Sequence, residues 1–214
     1  MSDNGHGVGS AIGAAFAAAQ SEARCALVTY LTAGYPSMTR TPDLLHALQE
    51  GGVDIIELGV PYSDPVADGP TIQHAGQIAL QGGATPRGCI ELVAQAREEG
   101  LRVPVLLMGY YNPVYAYGID MYVRDCVAAG VNGLVVPDLP PEEAAPLRDA
   151  CVAHGLALVY LVAPNSNEER IARIAAETEG FLYVVSRMGT TGATADAAGR
   201  ELVEQIERVR RYAR

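Results

Sequence analysis

The sequence predicts an α/β fold, a (β/α)8 barrel of the TIM type of which about six βα units are present. Short runs rich in Val, Leu and Ile alternate with longer Ala-, Glu- and Arg-rich segments of helical period, the pattern of parallel strands joined by helices. The repeat is even, at roughly 25–30 residues per unit. Polar residues follow several strands, which favours a barrel, because a doubly wound open sheet gathers its ligand near one switch point.

Each element is predicted from its own pattern. The strands are the apolar runs, at Ala26–Leu31, Val53–Leu58, Val103–Met108, Gly133–Val136, Leu156–Val162 and Phe181–Val185. Helices are predicted over Met38–Glu50, Thr71–Leu80, Arg87–Glu98, Ile119–Ala129, Pro141–Ala153, Asn167–Ala176 and Gly199–Ala213. Glycine lies just past several of these helices, where a left-handed C-terminal cap favours it.

The chain is interpreted as one barrel domain over residues 1–214. The Gly- and Ala-rich opening to Ala19 is expected to be a frayed or covering segment, with residues 1–9 a disordered tail. A complete barrel has eight strands and about 250 residues. We therefore expect two βα units to be missing, or the sheet to close in another way.

Charge and composition exclude several classes of protein. The 25 acidic and 15 basic residues give a net charge of −10, which repels nucleic acid and anionic lipid. A phosphorylated small molecule remains possible, because helix N-termini bind phosphate through backbone N–H groups. The sequence has no apolar membrane span and no signal peptide, so a cytoplasmic location is predicted.

The cysteine and histidine residues predict neither disulfides nor a metal site. The four cysteines have no CxxC spacing and lie in or beside apolar segments, so reduced core residues are expected. The four histidines are scattered without the spacing of metal ligands. We predict no metal.

The loop from Glu57 to Gly69 is the strongest functional signal in the sequence. Glu57 ends an apolar strand, and a carboxyl in partly desolvated surroundings has a raised pKa suited to proton transfer. Strand parity places Glu57 on the side of Val53 and Ile55, toward the barrel interior. The alternative is a Glu paired with a neighbouring backbone group or Arg. Asp64 and Asp68 could equally support turns within the loop.

Other polar residues near strand ends are weaker candidates. Tyr110 and Tyr183 could orient a ligand or be core residues. Asp138 could bind a ligand or cap the helix that begins at the following prolines. The turn Gly189–Ala193 precedes a helix and could cradle a phosphate, although a glycine-rich turn alone is weak evidence.

Five segments together resemble one known family. The run from Glu57 to Gln73 (ELGVPYSDPVADGPTIQ) resembles the signature loop of the tryptophan synthase alpha chain family. In family order, the supporting segments are Tyr30–Pro36 (YLTAGYP), Met108–Pro113 (MGYYNP), Val136–Pro140 (VPDLP) and Tyr183–Gly192 (YVVSRMGTTG).

This resemblance implies a reaction and roles for individual residues. The reaction is retro-aldol cleavage of indole-3-glycerol phosphate to indole and glyceraldehyde 3-phosphate, with no cofactor in this subunit. Glu57 would be the general acid/base, and Asp68 would accept a hydrogen bond from the indole N–H and stabilise positive charge. The expected substrate-binding residues are Tyr30, Tyr110, Tyr183, Thr191 and Gly192.

The resemblance also implies a partner and a departure from the family. The partner is a pyridoxal-phosphate beta chain in an α2β2 complex, contacted by the loop that holds Pro61 and Asp64. The family's seventh and eighth strands supply most of its phosphate-binding backbone, so weak phosphate affinity is expected of the 214 residues.

Two other functions are weighed against the lyase. One is a catalytically impaired subunit that only binds a beta chain, through the Pro61–Pro70 and Tyr111–Tyr117 regions. The other is a different phosphate-handling barrel, an aldolase or epimerase. A Schiff-base aldolase needs a lysine at a strand end, and none of the predicted strands has one.

Overall fold

The computed structural model of the chain describes residues 9–186 and 195–213. Its strands are β1 (Val28–Thr32), β2 (Ile55–Gly59), β3 (Val105–Met108), β4 (Gly133–Val135), β5 (Ala157–Val159), β6 (Leu161–Val162) and β7 (Tyr183–Val184). All six predicted strands are present, but the fifth is divided at Tyr160 into β5 and β6. The strand is interrupted because the Tyr160 N–H donates to the Thr178 hydroxyl at 3.0 Å and not to a neighbouring strand.

The described strands form a five-stranded and a two-stranded sheet, and in each the strands follow one another in chain order. Strands β1 to β5 pair in parallel in sequential order, and β6 pairs in parallel with β7. A doubly wound sheet reverses its strand order at a switch point, whereas a barrel adds each strand on the same side. The predicted barrel-type arrangement is therefore confirmed.

Helices cover the strands on the outside. They are α1 (Gly9–Ser21), α2 (Thr41–Glu50), α3 (Pro70–Gln81), α4 (Pro86–Glu98), α5 (Tyr111–Tyr117), α6 (Ile119–Ala128), α7 (Ala145–His154), α8 (Glu168–Glu177) and α9 (Ala195–Arg210), with a 3-10 turn at Met38–Arg40. No helix within these described ranges is both long and apolar enough to cross a membrane.

Some helix predictions were wrong. The sequence did not predict α1 or α5, and α7 begins at Ala145 because Pro141–Glu143 form a turn. Helix α9 begins four residues earlier than predicted, at Ala195. Of the predicted disordered tail, Gly9 belongs to α1, and residues 1–8 lie outside the described part of the chain.

The core has an inner and an outer layer. The inner layer, inside the strands, contains Ile55, Leu106, Val135 and Val159, and the outer layer packs strands against helices. Ile12 of α1 enters the inner layer and lies against Gly133 and Gly180, so α1 covers the amino-terminal end of the strands.

The structure corrects the predictions made for two core residues. Val53 precedes β2 and lies in the outer layer, not inside the barrel with Ile55, because strand alternation has not yet begun there. Cys25 is exposed, whereas Cys89, Cys126 and Cys151 are buried free thiols as predicted.

Paired polar side chains secure the amino-terminal ends of the strands. Arg97 donates to the carbonyl oxygens of Gly130, Leu101 and Val103 and to Asn132 Oδ1, at 2.8–3.1 Å. Asn132 Oδ1 also accepts from the Val105 N–H at 2.9 Å. Gln49 Oε1 accepts from the N–H groups of Arg102 and Val103 at 2.6 and 3.2 Å.

Candidate active site

Glu57 lies on β2 between Tyr30 of β1 and Leu106 of β3, its register partners. The residue is only 4% exposed, and this burial raises the pKa of its carboxyl to about 7. Among the described residues, no side chain or backbone group forms a hydrogen bond or an ion pair with the carboxyl. The alternative of a Glu paired with an Arg is therefore not realised there, and the group has the properties of a proton donor and acceptor near neutral pH.

Two tyrosines lie near Glu57. The ring of Tyr30 packs against Gly59, where any side chain would collide with it, and its hydroxyl accepts from Thr32 Oγ1 at 3.5 Å. Burial raises the pKa of Tyr30, and the charges of Asp68 and Glu57 add to the rise. Burial and then the Glu57 charge raise the pKa of Tyr183. The charges of Glu57 and Asp68 thus act on the hydroxyl of Tyr30, and the charge of Glu57 also acts on that of Tyr183.

The loop that bears Asp68 is fixed from two sides. Tyr110 Oη accepts from the Ala67 N–H at 2.9 Å, and Gln73 Nε2 donates to the Asp68 carbonyl at 2.9 Å. Burial raises the pKa of Asp68, and hydrogen bonding to the Tyr110 hydroxyl offsets part of the rise. The Asp68 side chain is therefore partly desolvated, although Val66 and Ala67 of the same loop are exposed. Tyr110 itself is buried, which raises its pKa to about 12.

Asp138 caps a helix, but not the one considered from the sequence. Its two carboxylate oxygens accept from the Tyr111 N–H at 3.0 and 3.3 Å, at the start of α5. The carboxylate therefore holds the helix that follows Tyr110. Asp138 thus links the turn after β4 to Tyr111, the neighbour of the Tyr110 that supports the Asp68 loop.

Tyr62 and Asn112 are site residues that sequence reasoning missed. Asn112 Nδ2 donates to Tyr62 Oη at 3.1 Å, and the Tyr62 and Tyr110 rings lie 5.3 Å apart. The signal available was that both residues belong to segments already singled out, the Glu57–Gly69 loop and the Tyr110–Pro113 run.

A half-open cavity of about 930 Å³ lies at the carboxyl ends of the strands. Its wall includes Asp68, Tyr183, Asp138 and Arg170, with apolar side chains such as Met108 and Leu161 between them. Arg170 donates to Glu142 Oε1 at 3.0 Å. Glu57 is not among the residues that line this cavity, but its charge contributes to the raised pKa of Tyr183 on the cavity wall.

The other predicted site residues fall outside this cluster. Asp64 is exposed and accepts from Ser63 Oγ at 2.5 Å, whereas Pro61 is buried. A contact with a partner at this loop would therefore involve the exposed neighbours of Pro61. Thr191, Gly192 and the turn Gly189–Ala193 lie outside the described residues.

Metal ligation and protein class can be read from the same geometry. Within residues 9–186 and the described part of α9, no three His, Cys, Asp or Glu side chains are arranged to hold a metal ion. A sequential parallel barrel sheet with a buried carboxyl that has no partner among the described residues defines a (β/α)-barrel enzyme with acid–base chemistry.

Comparison with known proteins identifies the family. The sequence profile of the tryptophan synthase alpha chain matches residues 16–214. The chain is 51% identical to the tryptophan synthase of Saccharomyces cerevisiae over 92% of its own length and 28% of that protein. It is 47% identical to the tryptophan synthase alpha chain of Dehalococcoides mccartyi over 89% of its length and 74% of that chain.

Solved structures agree with this assignment. A tryptophan synthase structure from Mycobacterium tuberculosis superposes with a TM-score of 0.87 at 40% identity, covering 94% of this chain and 76% of that one. A tryptophan synthase alpha chain structure from Legionella pneumophila gives a TM-score of 0.84 at 33% identity, with 92% and 73% coverage. The chain belongs to the tryptophan synthase alpha chain family, a family of lyases in tryptophan biosynthesis.

Proposed function

We propose that this chain catalyses the alpha reaction of tryptophan synthase, the cleavage of indole-3-glycerol phosphate to indole and glyceraldehyde 3-phosphate. The observation that supports it best is Glu57, a buried carboxyl without a described partner whose pKa is raised to about 7 by burial. A retro-aldol cleavage needs one group that both gives and takes protons near neutral pH, and such a carboxyl meets that need.

Glu57 is assigned the proton transfers. The carbon–carbon bond between indole C3 and the glycerol side chain breaks after C3 is protonated, and the side-chain hydroxyl loses its proton as the aldehyde forms. A carboxyl with a pKa near 7 is present in both protonation states at neutral pH, so one residue can supply the first proton and accept the second.

Asp68 is assigned the role of stabilising the positive charge that develops on the indole ring. Its carboxylate would accept the indole N–H hydrogen bond, which strengthens as C3 is protonated and the ring becomes cationic. The support from Tyr110 to Ala67, the residue before Asp68, fits this role. A charge stabiliser acts best when it is already oriented before the reaction.

The cavity and three tyrosines are assigned to substrate binding. Tyr183 on the cavity wall would position the substrate. We assign Tyr30 and Tyr110 to the indole pocket from the family motif, because neither is among the residues that line the described cavity. The cavity of about 930 Å³ is in the usual range for small-molecule sites. From the family motif alone, we assign Thr191 and Gly192 to a loop that closes over the site, and Gly192 also to the phosphate of the substrate.

The proposal extends to cofactor, partner and location. Acid–base cleavage by Glu57 and Asp68 requires no cofactor or metal in this chain. The partner proposed is a tryptophan synthase beta chain with pyridoxal phosphate, in an α2β2 assembly, docked near Asp64. We further propose that the protein works in the cytoplasm, with no nucleic acid or membrane as a partner, in keeping with its net charge of −10.

The test is an assay of both products from one substrate. The purified chain is incubated with indole-3-glycerol phosphate, with and without a beta chain, and indole and glyceraldehyde 3-phosphate are measured. Glu57→Gln should lower turnover by at least about 10³-fold. Glu91→Gln is the matched control, because Glu91 is an exposed acid on α4. Undiminished turnover in Glu57→Gln would refute the assigned mechanism.

The same assay decides between the lyase and a subunit that only binds its partner. If the wild-type chain binds a beta chain and yet releases no indole in either condition, the binding function replaces the catalytic one. The Schiff-base aldolase is not supported, because all 15 basic residues of this chain are Arg and none is Lys.

A further inference from the structure

A buried amide joins α9 to the carboxyl ends of the last two described strands. Gln205 is only 5% exposed. Its Nε2 donates to the carbonyl oxygen of Val162 at 3.4 Å and to that of Val185 at 3.2 Å. A buried amide costs free energy unless it is hydrogen-bonded, so these two bonds define what the side chain does.

The two carbonyl groups belong to the cavity end of the sheet. Val162 ends β6, and Val185 directly follows β7. The Val185 N–H donates to the same Val162 oxygen at 2.9 Å, so Gln205 closes a small network across the two strands. Val185 and Tyr183 both line the cavity, and residues two apart on a strand face the same side. Gln205 therefore supports the cavity wall from behind.

A second side chain on α9 holds the adjacent part of the wall. Arg208 Nη2 donates to the Ser166 carbonyl at 2.5 Å, and Ser166 is buried and lines the cavity. Residues three apart lie on the same face of a helix. Gln205 and Arg208 thus form one polar face of α9, directed at the β6 and β7 ends and the turn after β6.

We infer that Gln205 is a positioning residue of the site, which acts through β7 by fixing the place of Tyr183. This inference rests on the proposed lyase function, in which Tyr183 positions the substrate. Gln205 is not assigned any contact with substrate. Its amide holds the end of β7 at a fixed distance from β6, and Tyr183 keeps its place on the cavity wall as a result.

The first test measures the strand ends and needs no activity. Gln205→Met removes both donors while keeping the length of the side chain. We expect hydrogen exchange at the Val185 and Tyr183 amides to accelerate by about tenfold in the folded variant. Gln49→Met is the matched control, because Gln49 binds backbone groups at the opposite end of the strands. It should leave exchange at those two amides unchanged.

The second test measures turnover. Gln205→Met should lower kcat/KM for indole-3-glycerol phosphate by about five- to tenfold, mostly through KM, because Tyr183 is assigned to binding. In a Tyr183→Phe background the same change should cost less than about twofold, since coupled residues are not additive. If Gln205→Met does not fold, Gln205→Asn, whose amide is one methylene too short, takes its place.

The outcomes separate this inference from the proposed function. An inactive wild type with accelerated exchange in Gln205→Met would contradict the lyase and leave the support of β7 established. If the wild type is active and Gln205→Met has the same kcat/KM and the same hydrogen-exchange rates, the inference is overturned. Equal losses in the wild-type and Tyr183→Phe backgrounds overturn it too, because they indicate a purely structural role.

Discussion

Arg97 at the amino-terminal end of the barrel and Glu57 at the carboxyl end differ in whether their charged groups have partners among the described residues. At the amino-terminal end, Arg97, Asn132 and Gln49 are joined to backbone groups, and nearly every bond is 3.2 Å or shorter. At the carboxyl end, Glu57 is buried with no partner among the described residues, and its pKa is raised. Paired groups stabilise a fold, whereas an unpaired buried acid destabilises it and is chemically useful.

The largest effect expected in this comparison is the loss of activity when Asp68, the second acid at the carboxyl end, is replaced. Asp68→Asn should lower kcat/KM for indole-3-glycerol phosphate by about 10²–10³-fold, because a neutral amide cannot stabilise the cationic ring. Asp43→Asn is the control, since Asp43 is exposed on α2. Steady-state kinetics with equal amounts of folded protein measures both. Equal activity of the two variants would remove Asp68 from the mechanism.

The next effect tests whether Glu57 destabilises the fold when ionised. Its pKa is about 7 in the folded chain and 4.5 ordinarily, so between these values the folded state binds more protons and stability falls as pH rises. The Glu57→Gln variant has no carboxyl to ionise and therefore does not lose this stability as pH rises. Its free energy of unfolding should exceed that of the wild type by on the order of 2–3 kcal/mol at pH 8.

Urea unfolding from pH 4 to pH 8 measures this difference. The advantage of Glu57→Gln should be close to zero below pH 4.5, grow through pH 7 and then stay constant. Parallel stability curves over the whole range would show that Glu57 is solvated or paired in solution.

A smaller effect tests the amino-terminal end. Arg97→Met leaves the carbonyl oxygens of Gly130, Leu101 and Val103 without their donor, and the free energy of unfolding should fall by about 2 kcal/mol. Turnover per folded molecule should not change, because Arg97 lies at the end of the strands away from the cavity. Arg102→Met, at an exposed position, should stay within about 0.5 kcal/mol of the wild type. Lost activity in folded Arg97→Met would mean that the two ends are coupled.

The smallest effect tests how Tyr110 supports the Asp68 loop. Tyr110→Phe removes the acceptor of the Ala67 N–H and should lower kcat/KM by about fivefold, near 1 kcal/mol. Tyr212→Phe is a control just beyond the end of α9, where the hydroxyl donates to Glu168 Oε2 at 3.3 Å. A loss as large as that of Asp68→Asn would instead assign the Tyr110 hydroxyl a direct role in the reaction.

Local patterns in the sequence predicted most of the strands and Glu57. Buried strands are apolar runs, and an acid within such a run is recognisable because acids are seldom buried. Helix α5 was not predicted, since its start depends on Asp138, which lies 27 residues later in the chain. The division of β5 from β6 was missed for the same reason, because Thr178, 18 residues away, binds the Tyr160 N–H.

The amino-terminal helix α1 has a consequence for the order of folding. Ile12 contacts Gly133 and Gly180, residues that lie in β4 and just before β7, so its binding surface exists only after most of the chain has been synthesised. Contacts between residues far apart in sequence close large loops and form late. Helix α1, which is synthesised before every described strand, is therefore among the last of the described elements to dock, and until then the inner layer lacks the Ile12 contacts at its amino-terminal end.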